Sequence, residues 1–234
     1  MGGSPAGSRP RIAAVVPARN EGARIGATLA ALARLPLAEV VVVDDGSHDG
    51  TGQVARNARA RVIRLDEHRG KGQAMEAGWR ATQAEIILFA DADLGFTAER
   101  LWPLVEAVLG GQADLAVAAF RAGGGGVGLA TGTARWGIRR LAGFEATAPL
   151  SGQRAVRREV LEAVSPLEDG FGVEVAMTID ALRAGYRVVE IPIPLSHRVT
   201  GKDLAGFLHR GRQLAAILKA LARRWRAPAR RTPG

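Results

Sequence analysis

The chain contains no cysteine among its 234 residues. This absence excludes disulfide bonds, thiolate zinc sites, iron–sulfur clusters and a cysteine nucleophile. No apolar run approaches the roughly 18 residues that a bilayer-spanning helix needs, and residues 1–10 lack the apolar core of a secretory signal. Hydrophobic residues nevertheless make up 47% of the chain, which is enough to bury a core. We therefore expect a single cytoplasmic domain that follows a disordered N-terminus, residues 1–10.

Aromatic residues are also scarce, at 5% of the chain, which argues against a surface that stacks nucleic-acid bases. The net charge is +9, but residues 210–234 contain eight basic and no acidic residues, so the preceding chain is almost neutral. Proteins that bind duplex nucleic acid spread their basic residues over a folded face. We therefore expect no nucleic-acid partner.

Apolar residues recur at intervals of three or four over residues 203–226, and this spacing predicts a basic amphipathic helix. Two interpretations stay open. Either the helix packs its apolar stripe on the domain, which we favour, or it lies on anionic lipid at the inner face of the membrane. Residues 227–234 are predicted to be a frayed tail.

Short β-branched runs alternate with amphipathic segments over residues 11–120. This alternation predicts an α/β fold in which a mostly parallel, twisted sheet is covered by helices on both faces. Ligands of such sheets bind beyond the carboxyl ends of the strands. The predicted strands, each buried on both faces, cover residues 12–16, 39–43, 62–65, 86–90 and 115–119, and the predicted helices cover residues 23–35, 51–59, 73–81 and 98–109.

Glycines crowd the sequence after residue 120. Because glycine weakens regular structure, we predict a loop over residues 122–133, and whether it closes over a ligand or is merely floppy stays open. Beyond the loop we predict helices at residues 134–141 and 173–184 and strands at residues 151–156 and 187–191.

Polar side chains follow the first two predicted strands. The first strand ends in Pro17-Ala18-Arg19-Asn20-Glu21 and the second in Asp44-Asp45. A carboxylate at such a strand end can accept a hydrogen bond from a ribose hydroxyl or a base. Two adjacent carboxylates are unfavourable without donors or cations nearby, so we expect partners for both. Asp49, four residues further on, is predicted to cap the next helix.

A lysine flanked by glycines, in Arg69-Gly70-Lys71-Gly72, precedes the third predicted helix. A cation at a helix N-terminus opposes the helix dipole. Two interpretations of Lys71 therefore stay open with equal weight: it has an anionic partner, or it is simply exposed to solvent.

The most informative motif is Asp91-Ala92-Asp93, directly after the fourth predicted strand. In an extended segment both carboxylates point to the same side, because side chains alternate with a period of two. Two hard oxygen donors suit Mg²⁺ or Mn²⁺, cations that also bind phosphates.

Together these four motifs resemble the nucleotide-sugar-binding half of glycosyltransferases with the GT-A fold, most of all the family-2 group, over about residues 11–120. The resemblance implies that Pro17, Ala18, Arg19 and Glu21 line a nucleoside pocket with Asp45 beside them, that Lys71 lies near the base or diphosphate, that Asp91 and Ala92 contact the nucleotide, and that Asp93 holds Mg²⁺ or Mn²⁺.

The second half, residues 121–202, resembles glucosyl-3-phosphoglycerate synthases through Ser151-Gly152-Gln153, Phe171-Gly172-Val173-Glu174 and Ser196-His197-Arg198. The resemblance implies that this half binds the acceptor through Ser151, Gly152 and Arg154, and that His197 completes the metal site with Asp93. The chain lacks the Arg-Val-Thr that follows the glycines in that family. Its segment from Ser151 to Ala155 also resembles polyprenyl-phosphate glycosyltransferases.

The resulting hypothesis is metal-dependent transfer of a sugar from a UDP- or GDP-sugar to a small hydroxyl acceptor of the glycerate type. Glu174, or else Asp169, is the candidate base for an inverting reaction, and the cation at Asp93 and His197 would neutralise charge on the departing diphosphate. Alternatives are a polyprenyl-phosphate glycosyltransferase at the membrane surface, a nucleotidyltransferase, and a binding module without turnover. The donor sugar, the acceptor and the choice between monomer and homodimer stay open.

Overall fold

The computed structural model describes residues 10–119, 128–195 and 204–226, with the backbone alone described for residues 204–210. His197, the four-glycine run and the two chain ends lie outside these ranges. The strands are β1 (Ile12–Ala18), β2 (Glu39–Asp45), β3 (Arg61–Leu65), β4 (Ile86–Phe89), β5 (Leu115–Ala119), β6 (Arg154–Arg157) and β7 (Val188–Pro192). The helices are α1 (Ile25–Leu32), α2 (Thr51–Asn57), α3 (Lys71–Arg80), α4 (Trp102–Leu109), α5 (Leu129–Ala142), α6 (Arg158–Val164), α7 (Val173–Arg183) and α8 (Leu204–Arg226), with 3₁₀ turns at Gly95–Leu101 and Gly170–Gly172.

The strands of the described residues form one mixed sheet in the order β3-β2-β1-β4-β6-β5-β7, which confirms the predicted α/β class. β6 runs antiparallel to both of its neighbours, while the other pairs are parallel. Because β6 is antiparallel to β4, the end of β4 lies beside the beginning of β6, where Phe89 pairs with Arg154. This register brings the segment after β4 and the segment before β6 to the same edge of the sheet.

Helices cover both faces of the sheet, as the alternation of the strands predicts. Alternate residues of β1 show this division, since Ala14 and Val16 pack with α1 and α4 on one face, whereas Ala13 and Val15 pack with α3, α6 and α7 on the other. The prediction of burial on both faces is wrong for β3. It is an edge strand beside β2, and Val62 and Ile63 are only half-buried.

Two helix predictions need correction. The helix predicted over residues 98–109 is a 3₁₀ turn, Gly95–Leu101, followed by α4, and a proline occupies the first turn of α4, where its missing N–H breaks no bond. α5 begins at Leu129 and so includes the last residues of the predicted loop. Gly137 of α5 allows α5 and α8 to pack closely, because a Cβ at this position would lie 2.3 Å from Leu221 Cδ2 of α8.

α8 packs against α5 and α7 through Ile217 and Leu221, which contact Ile138 and Ile179 in a third apolar cluster. Ion pairs hold its end in place. Arg224 contacts Glu168 at 2.7 Å and also Asp180, and Arg223 contacts Glu168. None of the helices in the described ranges is long and apolar enough to cross a bilayer.

Candidate active site

The candidate site lies at the carboxyl ends of β1, β2 and β4, next to the segment before β6. Two helices contribute their first turns: Lys71 begins α3, and Glu174 is the second residue of α7. The first turn of α3 lies against the segment that precedes α7, where a Cβ on Gly72 would fall 1.9 Å from the carbonyl oxygen of Glu168. Only glycine permits this approach, and the approach brings Glu174 to Lys71.

Lys71 bridges two carboxylates at the centre of the site. Its Nζ lies 2.8 Å from Asp91 Oδ1 and 2.9 Å from Glu174 Oε1. Burial on its own would lower the pKa of Lys71, but the charges of Asp91 and Glu174 outweigh burial and raise that pKa above the ordinary value for lysine. Lys71 is therefore a fixed cation at neutral pH, and of its two interpretations the structure favours an anionic partner, which the protein itself supplies in part.

The segment before β6 lies directly on this pair. Gln153 Nε2 donates a hydrogen bond to Asp91 Oδ2, and Ser151 Oγ donates to Gln153 Oε1 at 3.2 Å. A Cβ on Gly152 would lie 2.4 Å from Lys71 Nζ and 2.9 Å from Asp91 Oδ1. Two of the predicted acceptor-binding residues, Ser151 and Gly152, thus lie beside the predicted nucleotide-binding residues.

Arg154, the third predicted acceptor-binding residue, is fully buried in β6. Its Nε donates to the carbonyl of Ser151 at 2.8 Å and its Nη1 to Thr178 Oγ1 at 3.0 Å, while Nη2 has no hydrogen-bond partner among the described residues. Burial lowers the pKa of Arg154 to about 10, against the opposing charges of Glu174 and Glu190. Arg154 therefore stabilises the segment before β6 through its hydrogen bond to Ser151. Its side chain is not accessible to an acceptor in this structure.

Asp93 differs from Asp91 in having no hydrogen bond or ion pair with any described residue, although its side chain is half-buried. The prediction of an extended Asp-x-Asp is wrong, because Ala92 and Asp93 lie in a turn. Thr28 fixes this turn. Its buried hydroxyl donates to the carbonyl of Ala92 at 2.8 Å and accepts from the N–H of Gly95 at 2.9 Å. Sequence reasoning missed Thr28, since a lone threonine in an amphipathic helix carries no signal.

The donor chemistry at this edge fits a divalent cation only in part. A half-buried carboxylate with both oxygens unused is a good ligand for Mg²⁺ or Mn²⁺, and Asp93 has this character. Across the described residues no group of three or more histidine, aspartate or glutamate side chains could hold a metal ion by itself. The remaining ligands would have to come from a bound phosphate group and from outside the described ranges, where the predicted ligand His197 lies.

The acidic pair at the end of β2 is satisfied only in part by donors from the protein. Asp44 Oδ2 has no hydrogen-bond partner among the described residues, although Arg64 Nη1 lies 3.5 Å from it. Asp45 accepts hydrogen bonds from the N–H groups of Arg69 at 2.7 Å and Gly70 at 2.9 Å, and His68 Nδ1 lies 2.7 Å from it. Asp44 accepts from the N–H of Ser47 at 2.9 Å. Asp45 therefore fixes the turn that precedes Lys71.

The turn after β1 is held against the loop after β2. Asn20 has a left-handed backbone with φ of 54°, and its N–H donates to Ser47 Oγ at 3.0 Å. The N–H of Glu21 donates to Thr51 Oγ1 at 2.9 Å. Asp49 accepts from the N–H of Thr51, the first residue of α2, and also from Gly22. The predicted nucleoside-binding segment, with Pro17 half-buried, Ala18 buried and Arg19 exposed, is thus part of a rigid rim.

Comparison with known proteins places this arrangement in context. A family model described as Glycosyl transferase family 2 matches residues 13–164. An undecaprenyl-phosphate mannosyltransferase from Micrococcus luteus is 32% identical over 213 residues, covering 82% of this chain and 86% of that protein. A polyprenol monophosphomannose synthase from Mycolicibacterium smegmatis is 34% identical over 185 residues, covering 71% of this chain and 69% of that protein.

Solved structures give a second comparison. A crystal structure of glucosyl-3-phosphoglycerate synthase from Mycobacterium tuberculosis, in complex with Mn²⁺, UDP and phosphoglyceric acid, matches with a TM-score of 0.81 and 28% identity, covering 94% of this chain and 80% of that chain. The match confirms the predicted GT-A fold and the predicted resemblance of the second half.

Proposed function

Because the chain belongs to glycosyl transferase family 2 and is therefore a glycosyltransferase, we propose that it transfers a sugar from a nucleoside-diphosphate sugar to an acceptor bound beside Ser151 and Gly152. The observation that carries this proposal is the contrast between the two aspartates after β4. Asp91 is fixed by Lys71 and Gln153, whereas Asp93 has no partner among the described residues and is available for a cation.

Asp93 and His197 would hold Mg²⁺ or Mn²⁺, in agreement with the Mn²⁺ and UDP of the matched synthase structure. When bound, the cation supplies Lewis-acid stabilisation of the diphosphate as it departs. Asp91 orients the nucleotide, and Lys71 and Gln153 keep its carboxylate in one position. The rigid rim formed by Pro17, Ala18, Arg19 and Glu21 holds the nucleoside. Asp45 fixes the turn that precedes Lys71.

The acceptor oxygen attacks the anomeric carbon while the bond to the diphosphate breaks. A hydroxyl acceptor must lose its proton, and Glu174 is the candidate base. Its Oε1 forms an ion pair with Lys71 at 2.9 Å, and uptake of the proton would weaken this pair. A phosphate acceptor is already ionised at neutral pH and needs no base, so Glu174 then only positions Lys71.

A polyprenyl phosphate is the acceptor that we propose, since the similarity to the Micrococcus luteus transferase extends over 86% of that protein. The second candidate is a small hydroxyl acceptor of the glycerate type, which the 0.81 TM-score to a complex with phosphoglyceric acid supports. The two candidates make different demands on Glu174. Replacing it with glutamine should abolish transfer to a hydroxyl but reduce transfer to a phosphate only moderately.

Transfer assays with radiolabelled UDP- and GDP-sugars, Mn²⁺ and either polyprenyl phosphate or phosphoglycerate test the proposal. We expect Asp93→Asn to lose at least about 100-fold in kcat, whereas the matched control Asp66→Asn, at an exposed position, keeps wild-type turnover. Full activity of Asp93→Asn would refute the assignment. Pyrophosphate release from a nucleoside triphosphate and a sugar phosphate would indicate a nucleotidyltransferase, and nucleotide binding without any turnover would indicate a binding module.

A further inference from the structure

Among the side chains that the structure describes, four large apolar ones of α5 and α8 are exposed to solvent and form what we call the tryptophan surface: Leu129, Trp136, Leu218 and Trp225. Leu129 is 80% exposed, and the other three are 49–53% exposed. The two tryptophan rings connect the helices, because they stack with centroids 6.0 Å apart and planes 12° apart. Soluble surfaces seldom present several large apolar side chains together.

The spacing of these residues places them in stripes. On α5, Leu129 and Trp136 are seven residues apart, and Arg140 follows four residues later on the same face. On α8, Leu218 and Trp225 are also seven residues apart. On α5 this stripe is separate from the one that packs Ile138 in the core, whereas on α8 it adjoins the buried Leu221 on the same face.

The two helices that carry the tryptophan surface contain several basic residues and no acidic residue. The guanidinium of Arg140 lies 5.4 Å from the centre of the Trp225 ring. Arg223 and Arg224 are occupied by Glu168 and Asp180. In contrast, four basic residues of these two helices make no ion pair with any described residue: Arg140, Arg212, Lys219 and Arg226.

We propose that the tryptophan surface docks on an anionic membrane, with its four apolar side chains in the interfacial layer and the unpaired bases on lipid phosphates. Exposed tryptophans and leucines beside unpaired arginines and lysines are the combination that such interfaces favour. Each base near an anionic leaflet adds to the attraction, which salt screens. A protein partner or a second copy of the chain would have to supply acidic residues that this face lacks.

Docking at this surface would also deliver a lipid-linked acceptor to the site. Arg135 of α5 donates a hydrogen bond from Nη2 to the carbonyl of Thr147 at 2.7 Å, four residues before Ser151. The docked face and the acceptor segment are therefore joined by one short stretch of chain. This last step rests on the proposed function, whereas membrane docking itself does not.

Cosedimentation of the full chain with vesicles tests the proposal. We expect binding to vesicles of phosphatidylglycerol and phosphatidylcholine, weakening as salt rises, and little binding to phosphatidylcholine alone. Leu218→Glu should weaken binding about 10-fold and Leu129→Glu/Leu218→Glu further, because each places a carboxylate among anionic lipids. These side chains are exposed, so circular dichroism should show folded variants. The matched control is Leu109→Glu, on α4 and 39% exposed, which should bind like the wild type.

Two outcomes overturn the docking proposal. One is a wild-type chain that fails to bind anionic vesicles at low salt. The other is a dimer that dissociates in Leu129→Glu/Leu218→Glu while neither form binds vesicles, which would assign the surface to a second copy. Hydrolysis of the sugar nucleotide without vesicles, measured on the same preparations, tests the proposed function separately. A protein that binds vesicles but does not turn over any sugar nucleotide would refute the proposed function and leave the docking proposal intact.

Discussion

Replacing Gly152 with alanine tests the arrangement at the centre of the site. The new methyl group would lie 2.4 Å from Lys71 Nζ and 2.9 and 3.1 Å from the oxygens of Asp91, well inside van der Waals contact. Asp91 is restrained by Gln153, whereas Nζ ends a flexible side chain. Lys71 therefore gives way and can no longer hold both Asp91 and Glu174.

The magnitude follows from this displacement. Overpacking of this kind reduces the free energy of unfolding by about 1–3 kcal/mol, so the fold should survive. The effect on catalysis should be larger, because a shift of about 1 Å in a positioned group can reduce the rate about 100-fold. We expect Gly152→Ala to lose about 100-fold in kcat/KM for the sugar nucleotide, with an unfolding midpoint only moderately lowered.

Urea unfolding and steady-state kinetics on the same preparation check this expectation. Gly211→Ala, in α8, is the matched control, because a Cβ there meets nothing within 4 Å. That variant should gain about 0.5–1 kcal/mol in stability and keep wild-type kinetics. A Gly152→Ala protein with wild-type kcat/KM would show that the contact between Lys71 and Asp91 has no part in turnover.

Three further predictions address other parts of the structure. Thr28→Val should lower the free energy of unfolding by about 1–3 kcal/mol, because the carbonyl of Ala92 and the N–H of Gly95 lose their buried partner; activity should fall with it, and unchanged urea unfolding would contradict the role given to Thr28. The raised pKa of Lys71 means that its stabilising contribution is complete below the ordinary lysine pKa of 10.5 and is lost as pH rises through the higher folded-state value. The difference in unfolding free energy between wild type and Lys71→Met should therefore be constant from pH 7 to 10 and shrink above that range, and a difference that grows there would reverse the assigned shift. Arg224→Ala should lower the free energy of unfolding by about 3 kcal/mol, because Glu168 and Asp180 lose the arginine with which they pair. Thermal melts should show a lower melting temperature for this variant and an unchanged one for Arg226→Ala, and equal losses of stability would mean that the ion pairs do not hold α8.

Much of the fold could be predicted because its signals are local. Buried strands have continuous apolar runs, and the polar residues that follow each run mark its carboxyl end. Asp45, Lys71, Asp91 and Asp93 were found in this way, and the sheet brings them to one edge. The loop predicted over residues 122–133 wrongly includes Gly132, because a glycine-rich composition does not show where α5 begins.

The sequence by itself determined the α/β class, the positions of the strands and the acidic and basic residues at their ends, since each depends on a short pattern. Only the tertiary structure decided how these residues are used. The antiparallel insertion of β6 beside β4 places Gln153 on Asp91, 62 residues away, and the close contact at Gly72 places Glu174 on Lys71. These contacts depend on which strands are neighbours and how closely backbones approach, and neither property is encoded in a local pattern.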